Sequence, residues 1–141
     1  MSAETANAPP LGAAVAVLWL VLAAAMLLHF NYDVSGIRFG IPLADPEATG
    51  IVPWSNVVIK TIFYVVPLLL CAAALGPTGR VFRNVNFGLT IPYALAHVSH
   101  LITTATRIKN RLDIAQVVLL SAVLLISAQL IRLSWRWRKE A

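Results

Sequence analysis

Four apolar stretches of about 20 residues each take up most of this chain of 141 residues. They lie at about 11–30, 57–76, 85–106 and 114–133, and a helix of about 20 apolar residues is long enough to cross the hydrocarbon core of a bilayer. Hydrophobic residues make up 59% of the sequence and charged residues only 12%, whereas an average soluble domain is about 25% charged. The sequence therefore predicts an all-α integral membrane protein, a single membrane domain formed as a bundle of four transmembrane helices.

The segments between the apolar stretches predict the connections and the orientation. Residues 31–56 form one long loop between helices 1 and 2, because repeated glycine and proline break regular structure there. Four crossings place both termini on one side of the membrane. The basic residues divide into six on the side of the termini (Arg80, Arg83, Arg132, Arg136, Arg138, Lys139) and five on the other (Arg38, Lys60, Arg107, Lys109, Arg111). Since basic residues favour the cytoplasmic side, we expect both termini in the cytoplasm.

The composition argues against several classes of function. The chain has 11 Lys and Arg against 6 Asp and Glu, but in a membrane protein this excess records topology and contact with lipid head groups, so we expect no nucleic acid partner. A single cysteine, Cys71, has no second cysteine for a disulfide or a redox pair. The sequence contains no phosphate-binding glycine loop, nucleophile elbow or metalloprotease helix. It therefore favours a protein without its own catalytic site, or a subunit of a membrane oxidoreductase.

A row of polar residues follows one face of the third predicted helix, and we call it the polar stripe. Its members succeed one another at steps of three or four residues: Asn86, Thr90, Tyr93, His97, His100, Thr104, Arg107 and Arg111. Residues at this spacing lie above one another on a helix. Because lipid cannot hydrate hydroxyl and imidazole groups, the polar stripe must face protein, a cofactor or enclosed water.

The three histidines of the chain are predicted to lie in the same half of the membrane. Counting about 1.5 Å per residue from the side of the termini brings His97 and His100 of helix 3 into the half that holds His29 of helix 1. Lys60 of helix 2 enters that half as well. The candidate cofactor-binding residues are therefore His29, His97, His100, Tyr93 and Lys60.

Three cofactors would suit this group. Haem b could be ligated by His29 on one side and by His97 or His100 on the other. Copper or zinc could be held by His97 and His100, with His29 or Asp33 completing the set. A quinone could accept hydrogen bonds from the imidazoles, Tyr93 and Lys60, since neutral histidine suits that role.

Three functions follow from these patterns. The first is a small accessory or anchor subunit of a larger membrane complex, such as a respiratory or redox complex, which associates through the polar face of helix 3. The second is an electron-transfer protein that binds haem, copper or quinone at His29, His97 and His100. The third is a small transporter or channel formed by several copies of the chain. In each case the expected partners are membrane lipids and other membrane subunits or further copies of this chain.

Overall fold

Helices make up nearly all of the structure. The computed structural model describes residues 10–42 and 49–140. Within these ranges 82% of the residues are helical and no strand occurs, so the predicted all-α class is confirmed. The described α-helices are α1 (Leu11–Ser35), α2 (Trp54–Lys60), α3 (Val66–Ala74), α4 (Arg80–Ala105) and α5 (Arg111–Trp137). Residues 43–48 of the predicted long loop lie outside the described residues.

Helices α1, α4 and α5 extend beyond the apolar stretches that predicted them, and α5 does so at both ends. Helix α1 continues to Ser35 and then into a short 3-10 helix, Gly36–Phe39. Asp33 lies in this extension, and Gln116 of α5 donates a hydrogen bond to its carboxylate, with 2.6 Å between Nε2 and Oδ1. Helix α4 begins at Arg80, before the apolar stretch starts. The loop between α1 and α2 is correspondingly shorter than predicted.

Helices α2 and α3 form one rod with an irregular middle. A π-helical turn, Thr61–Val65, joins them, and its final hydrogen bond runs from the Val66 amide to the Thr61 carbonyl. The next bond of this register would come from residue 67, which is proline and has no amide hydrogen. The turn therefore leaves the Ile62 carbonyl without its backbone donor. Single π turns of this kind often mark functional positions in helices.

The core lies between α1 and α5, and the other helices pack around this pair. Helix α1 contacts α3 and α5, and α5 also contacts α4. The innermost side chains are almost inaccessible to solvent: Val15, Trp19, Leu22, Leu120, Val123 and Leu130. The start of α1 approaches α5 closely at Gly12, where an added Cβ would lie 3.1 Å from Cζ2 of Trp137. A larger residue at position 12 would push these helix ends apart.

Three helical segments are long and apolar enough to cross a membrane: Leu11–Phe39, Trp54–Ala74 and Arg111–Trp137. Helix α4, which carries the polar stripe, is not one of them. Its 26 residues would span the hydrocarbon core, but the stripe makes it too polar overall to qualify by composition.

Candidate functional site

Part of the polar stripe forms the buried face of α4, but the stripe does not stay on one helix: α4 ends at Ala105, so Arg107 lies beyond it and Arg111 begins α5, and both are exposed. The first four members of the stripe, Asn86, Thr90, Tyr93 and His97, are at most 6% exposed. The other faces of α4 expose six large apolar side chains, Val81, Val85, Ile91, Leu95, Val98 and Ile102, together with four polar ones, Arg80, Asn84, Ser99 and Thr103. The stripe thus meets the chain's own helices, which is one of the three environments predicted for it. This part of the stripe offers no surface to a partner subunit, so association through the polar face of helix 3 has no support in this arrangement. That the chain is an accessory subunit stays a prediction.

The first layer of the stripe joins three helices through Asn86. The Trp19 indole N–H of α1 donates to Oδ1 of Asn86 over 2.8 Å. The Asn86 amide in turn donates to Oγ of Ser134 in α5, with 3.0 Å between the atoms. All three side chains are buried. Asn86 therefore satisfies two buried polar groups and is used for structure rather than for ligand binding.

The second layer is Tyr93, which closes the gap between α4 and the π turn. Its hydroxyl donates to the Ile62 carbonyl, the acceptor that Pro67 leaves free. Its ring meets Trp19 edge to face at 5.1 Å between centroids and meets Phe63 at 5.6 Å. With its hydroxyl used in this way, Tyr93 serves as a strut between α4 and the α2–α3 rod.

The third layer is His97, which lies in the protein interior. It is 1% exposed, and the Phe63 ring covers it at 5.5 Å between centroids. Its Nδ1 is buried and has no hydrogen-bond partner among the described residues. Phe63 also lines a cavity that holds His29 and His100. Its ring therefore separates His97 from the other two histidines.

His29 and His100 come together across α1 and α4. Their rings meet edge to face with 4.6 Å between centroids. Both line a cavity of about 230 Å³, which we call the histidine pocket. The other residues of its wall come from α1 and from α2 with the π turn: Met26, Phe30, Asp33, Asn56, Ile59, Lys60, Phe63 and Tyr64. His29 is only 8% exposed, and its Nδ1 has no hydrogen-bond partner among the described residues.

The wall of the histidine pocket contains one acidic and one basic side chain, Asp33 and Lys60, so their formal charges cancel. Asp33 supplies a carboxylate, one oxygen of which is already bonded to Gln116. Lys60 supplies an exposed ammonium group, placed 5.8 Å from the centroid of the Phe30 ring. With two imidazoles that can donate or accept hydrogen bonds, the pocket suits a ligand without net charge.

A second, apolar cavity adjoins the histidine pocket. It has a volume of about 200 Å³ and is lined by Leu27, Phe30, Lys60 and Tyr64. We call it the Leu27 groove. Three of its four lining residues, Phe30, Lys60 and Tyr64, also line the histidine pocket. The two cavities thus share a wall, with polar groups on one side and an exposed leucine on the other.

The geometry does not favour haem or metal. The His29 and His100 rings are in contact, so a tetrapyrrole cannot stand between them. Among the described residues no group of three or more His, Cys, Asp or Glu side chains could hold a metal ion. The predicted metal set of His97, His100, His29 and Asp33 is therefore not assembled, because Phe63 covers His97 and Gln116 holds Asp33.

Of the predicted cofactor-binding residues, the structure places three in one pocket and two elsewhere. His29, His100 and Lys60 line the histidine pocket, whereas Tyr93 and His97 are core residues. Sequence reasoning missed Asn56 and Phe63 as wall residues, although a signal exists: Asn56, Lys60 and Phe63 follow at steps of four and three, as residues on one helix face do. Comparison of the chain with protein-family models, curated proteins and solved structures gives no match.

Proposed function

We propose that this chain is a multi-pass membrane protein whose four helical rods all cross the bilayer, with both termini in the cytoplasm. The inverted pattern of α4 supports the fourth crossing. In water a helix buries its apolar face and exposes its polar face, whereas α4 buries Asn86, Thr90, Tyr93 and His97 and exposes six valine, leucine and isoleucine side chains between Val81 and Ile102. Such a helix is suited to lipid on its outer side.

Within this arrangement, the proposed function is binding of a small amphipathic lipid with an uncharged hydrogen-bonding head, of the chemical type of a quinone. The observation that carries the proposal is the Nδ1 atom of His29, which is buried in the wall of the histidine pocket without a partner. Buried polar groups in proteins are nearly always hydrogen-bonded. Nδ1 is covered by protein in this structure, so a carbonyl or hydroxyl group of a ligand would supply the missing bond after a small rotation of the His29 ring, which lines the pocket.

The size and charge of the pocket narrow the class of ligand. Its volume of about 230 Å³ is below the roughly 300–1,000 Å³ of sites for drug-sized ligands, so a single substituted ring fits and a tetrapyrrole does not. The opposite charges of Asp33 and Lys60 disfavour a strongly anionic or cationic head. A quinone ring has carbonyl acceptors, and the neighbouring His29 and His100 imidazoles can donate hydrogen bonds to such a group.

The Leu27 groove explains why the ligand would be a lipid. It shares Phe30, Lys60 and Tyr64 with the histidine pocket and ends at Leu27, whose side chain is exposed in the structure and would meet lipid in a membrane. An apolar tail attached to the head group could leave the pocket by this route without crossing the protein core. Binding would then require no opening of the helices.

Calorimetric titration of the detergent-purified protein with a quinone that carries one isoprenoid unit tests this proposal. We expect His29→Leu and His100→Leu each to weaken quinone binding about tenfold. Each substitution removes a hydrogen bond between neutral groups and leaves a polar atom of the ligand without a partner. Lys60→Met should weaken binding less, and Lys109→Met, which removes an exposed lysine outside the pocket, should leave it unchanged.

Two results would contradict the proposal. One is wild-type protein that binds no quinone although it is folded, as judged by its circular dichroism and its elution as a single species. The other is His29→Leu and His100→Leu proteins that bind as tightly as the wild type. Lys60 lines the pocket but is exposed, so we expect Lys60→Met to keep the fold. This variant therefore tests the pocket without the risk that the protein unfolds.

A further inference from the structure

A third cavity lies at the opposite end of the helices, where α1 begins and α3 and α5 end. We call it the terminal cavity, and its volume is about 710 Å³. Two arginines, Arg83 of α4 and Arg136 of α5, line it together with Leu11, Gly12, Leu75 and Trp137. Its one acidic side chain among the described residues is that of Glu140. Unlike the histidine pocket, the terminal cavity therefore has an excess of positive charge.

Two nitrogens of the Arg83 guanidinium group form hydrogen bonds within the protein, and the third has no partner among the described residues. Its Nη1 donates to the backbone carbonyl of Glu140, and its Nη2 donates to the Thr78 carbonyl over 3.3 Å. These bonds hold the end of α5 against the loop before α4. The Nε atom is buried and has no partner among the described residues. Because Nε is covered by protein, the donors of Arg83 that a ligand in the cavity could reach are the remaining N–H groups of Nη1 and Nη2, each of which carries two hydrogens.

Arg136 is the second positive group and is exposed. The start of α1 adds a third favourable element, because the N-terminal amides of a helix attract anions, and Pro10 provides no capping side chain for them. Four further basic residues lie at this end of the molecule: Arg80, Arg132, Arg138 and Lys139. The electrostatic setting thus favours an anion.

The walls of the terminal cavity also include apolar surface. Leu75 is 66% exposed, and Leu11 lies beside it in the wall. At this end the aromatic side chain of Trp135 lies under Arg138, 3.9 Å from the guanidinium carbon to the ring centroid, as expected where aromatic and basic residues meet the head groups of a membrane. The cavity therefore combines cations at head-group level with leucines toward the helices.

We propose that the terminal cavity binds a phosphate group, and that its source is the head group of an anionic phospholipid. Arg83 and Arg136 bind the phosphate oxygens, since arginine matches phosphate through its planar fork of donors. Leu11 and Leu75 contact the first part of the acyl chains. The site is independent of the histidine pocket and takes a ligand of opposite character, an anion in place of an uncharged ring.

Native mass spectrometry of the full chain in mild detergent tests the proposal, with phosphatidylglycerol and phosphatidylcholine as the two lipid probes. We expect wild-type protein to retain phosphatidylglycerol in preference to phosphatidylcholine. Arg136→Gln should reduce this retention about fivefold, as expected for one basic residue at a membrane surface, and Arg136→Lys should restore part of it. Arg132→Gln is the matched control, because Arg132 is also exposed on α5 but does not line the cavity.

Measurements with inorganic phosphate distinguish the two possible ligands of the terminal cavity, the phosphate of a lipid head group and free phosphate. If millimolar phosphate raises the thermal stability of wild-type protein but not of Arg136→Gln, while phosphatidylglycerol is not retained, the phosphate site is supported and the lipid source is wrong. Equal loss of phosphatidylglycerol in Arg136→Gln and Arg132→Gln would overturn the proposal, since it would show attraction by surface charge alone. Absence of any preference between the two lipids together with no effect of phosphate would overturn it as well.

Discussion

The Tyr93 hydroxyl donates a hydrogen bond to the Ile62 carbonyl. This carbonyl is the acceptor that loses its backbone donor because the π turn is followed by Pro67. A side chain from α4 thus completes the hydrogen bonding of the α2–α3 rod. Phe63, the next residue along the chain, lines the histidine pocket and covers His97. The contact therefore fixes the wall of the proposed binding site as well as the packing of two helices.

The first prediction concerns this hydrogen bond. Tyr93→Phe should lower the free energy of unfolding by about 1 to 2 kcal/mol, because the Ile62 carbonyl is left without a donor. Pro67→Ala should restore a backbone amide at the position where the carbonyl needs one. In a double-mutant cycle measured by denaturant titration in detergent, Tyr93→Phe should therefore cost less in the Pro67→Ala protein than in the wild type. Equal costs in the two proteins would show that Pro67 is not the reason for the bond.

The second prediction concerns the bridge at Asn86. Asn86→Ala should destabilise the protein by about 1 to 3 kcal/mol, because the Trp19 indole N–H and the Ser134 hydroxyl both lose their buried partner. Asn84→Ala is the matched control, since Asn84 is exposed on the same helix. Thermal unfolding followed by circular dichroism should show a lower midpoint for Asn86→Ala and an unchanged midpoint for Asn84→Ala. Similar midpoints for both variants would mean that the bridge contributes nothing measurable.

The residues of the stripe show how far the sequence can predict this protein. Their spacing predicts one helix face that must be kept from lipid, and α4 does bury Asn86, Thr90, Tyr93 and His97. Spacing alone does not decide which histidine meets His29. His97 and His100 differ by less than one turn, so the choice depends on how α4 is rotated and tilted against α1, which packing determines.

The π turn is a second feature that the sequence leaves open. Pro67 predicts a disturbed helix, and the free carbonyl is expected four residues earlier, at Phe63. The structure instead contains a π turn in which the Val66 amide bonds to the Thr61 carbonyl, and in this register Pro67 leaves the Ile62 carbonyl without a donor. Asn56, Lys60 and Phe63 line one pocket. A local hydrogen-bond register set by contacts with another helix cannot be read from the proline alone.

The third prediction separates the head and the tail of the proposed ligand. Leu27→Trp should fill the Leu27 groove and weaken binding of a quinone with a long isoprenoid tail, while binding of the same ring without a tail stays unchanged. Leu28→Trp is the control, because Leu28 is similarly exposed at 56% against 59% for Leu27 but does not line the groove. Calorimetric titration with both ligands gives the comparison. If Leu27→Trp weakens the two ligands equally, the groove does not hold the tail.

The last prediction tests whether α4 crosses the membrane. Leu95 lies near the middle of α4 and is 64% exposed, whereas Val81 lies near its start and is 78% exposed. If lipid surrounds the outer face of this helix, Leu95→Arg places a charge in the hydrocarbon core and should reduce insertion by about 2.5 to 3.5 kcal/mol, while Val81→Arg places it among head groups at little cost. A glycosylation-based insertion assay of the full chain measures both variants. Equal insertion of the two proteins would show that the outer face of α4 does not meet lipid hydrocarbon, and the fourth crossing would lose the observation that supports it.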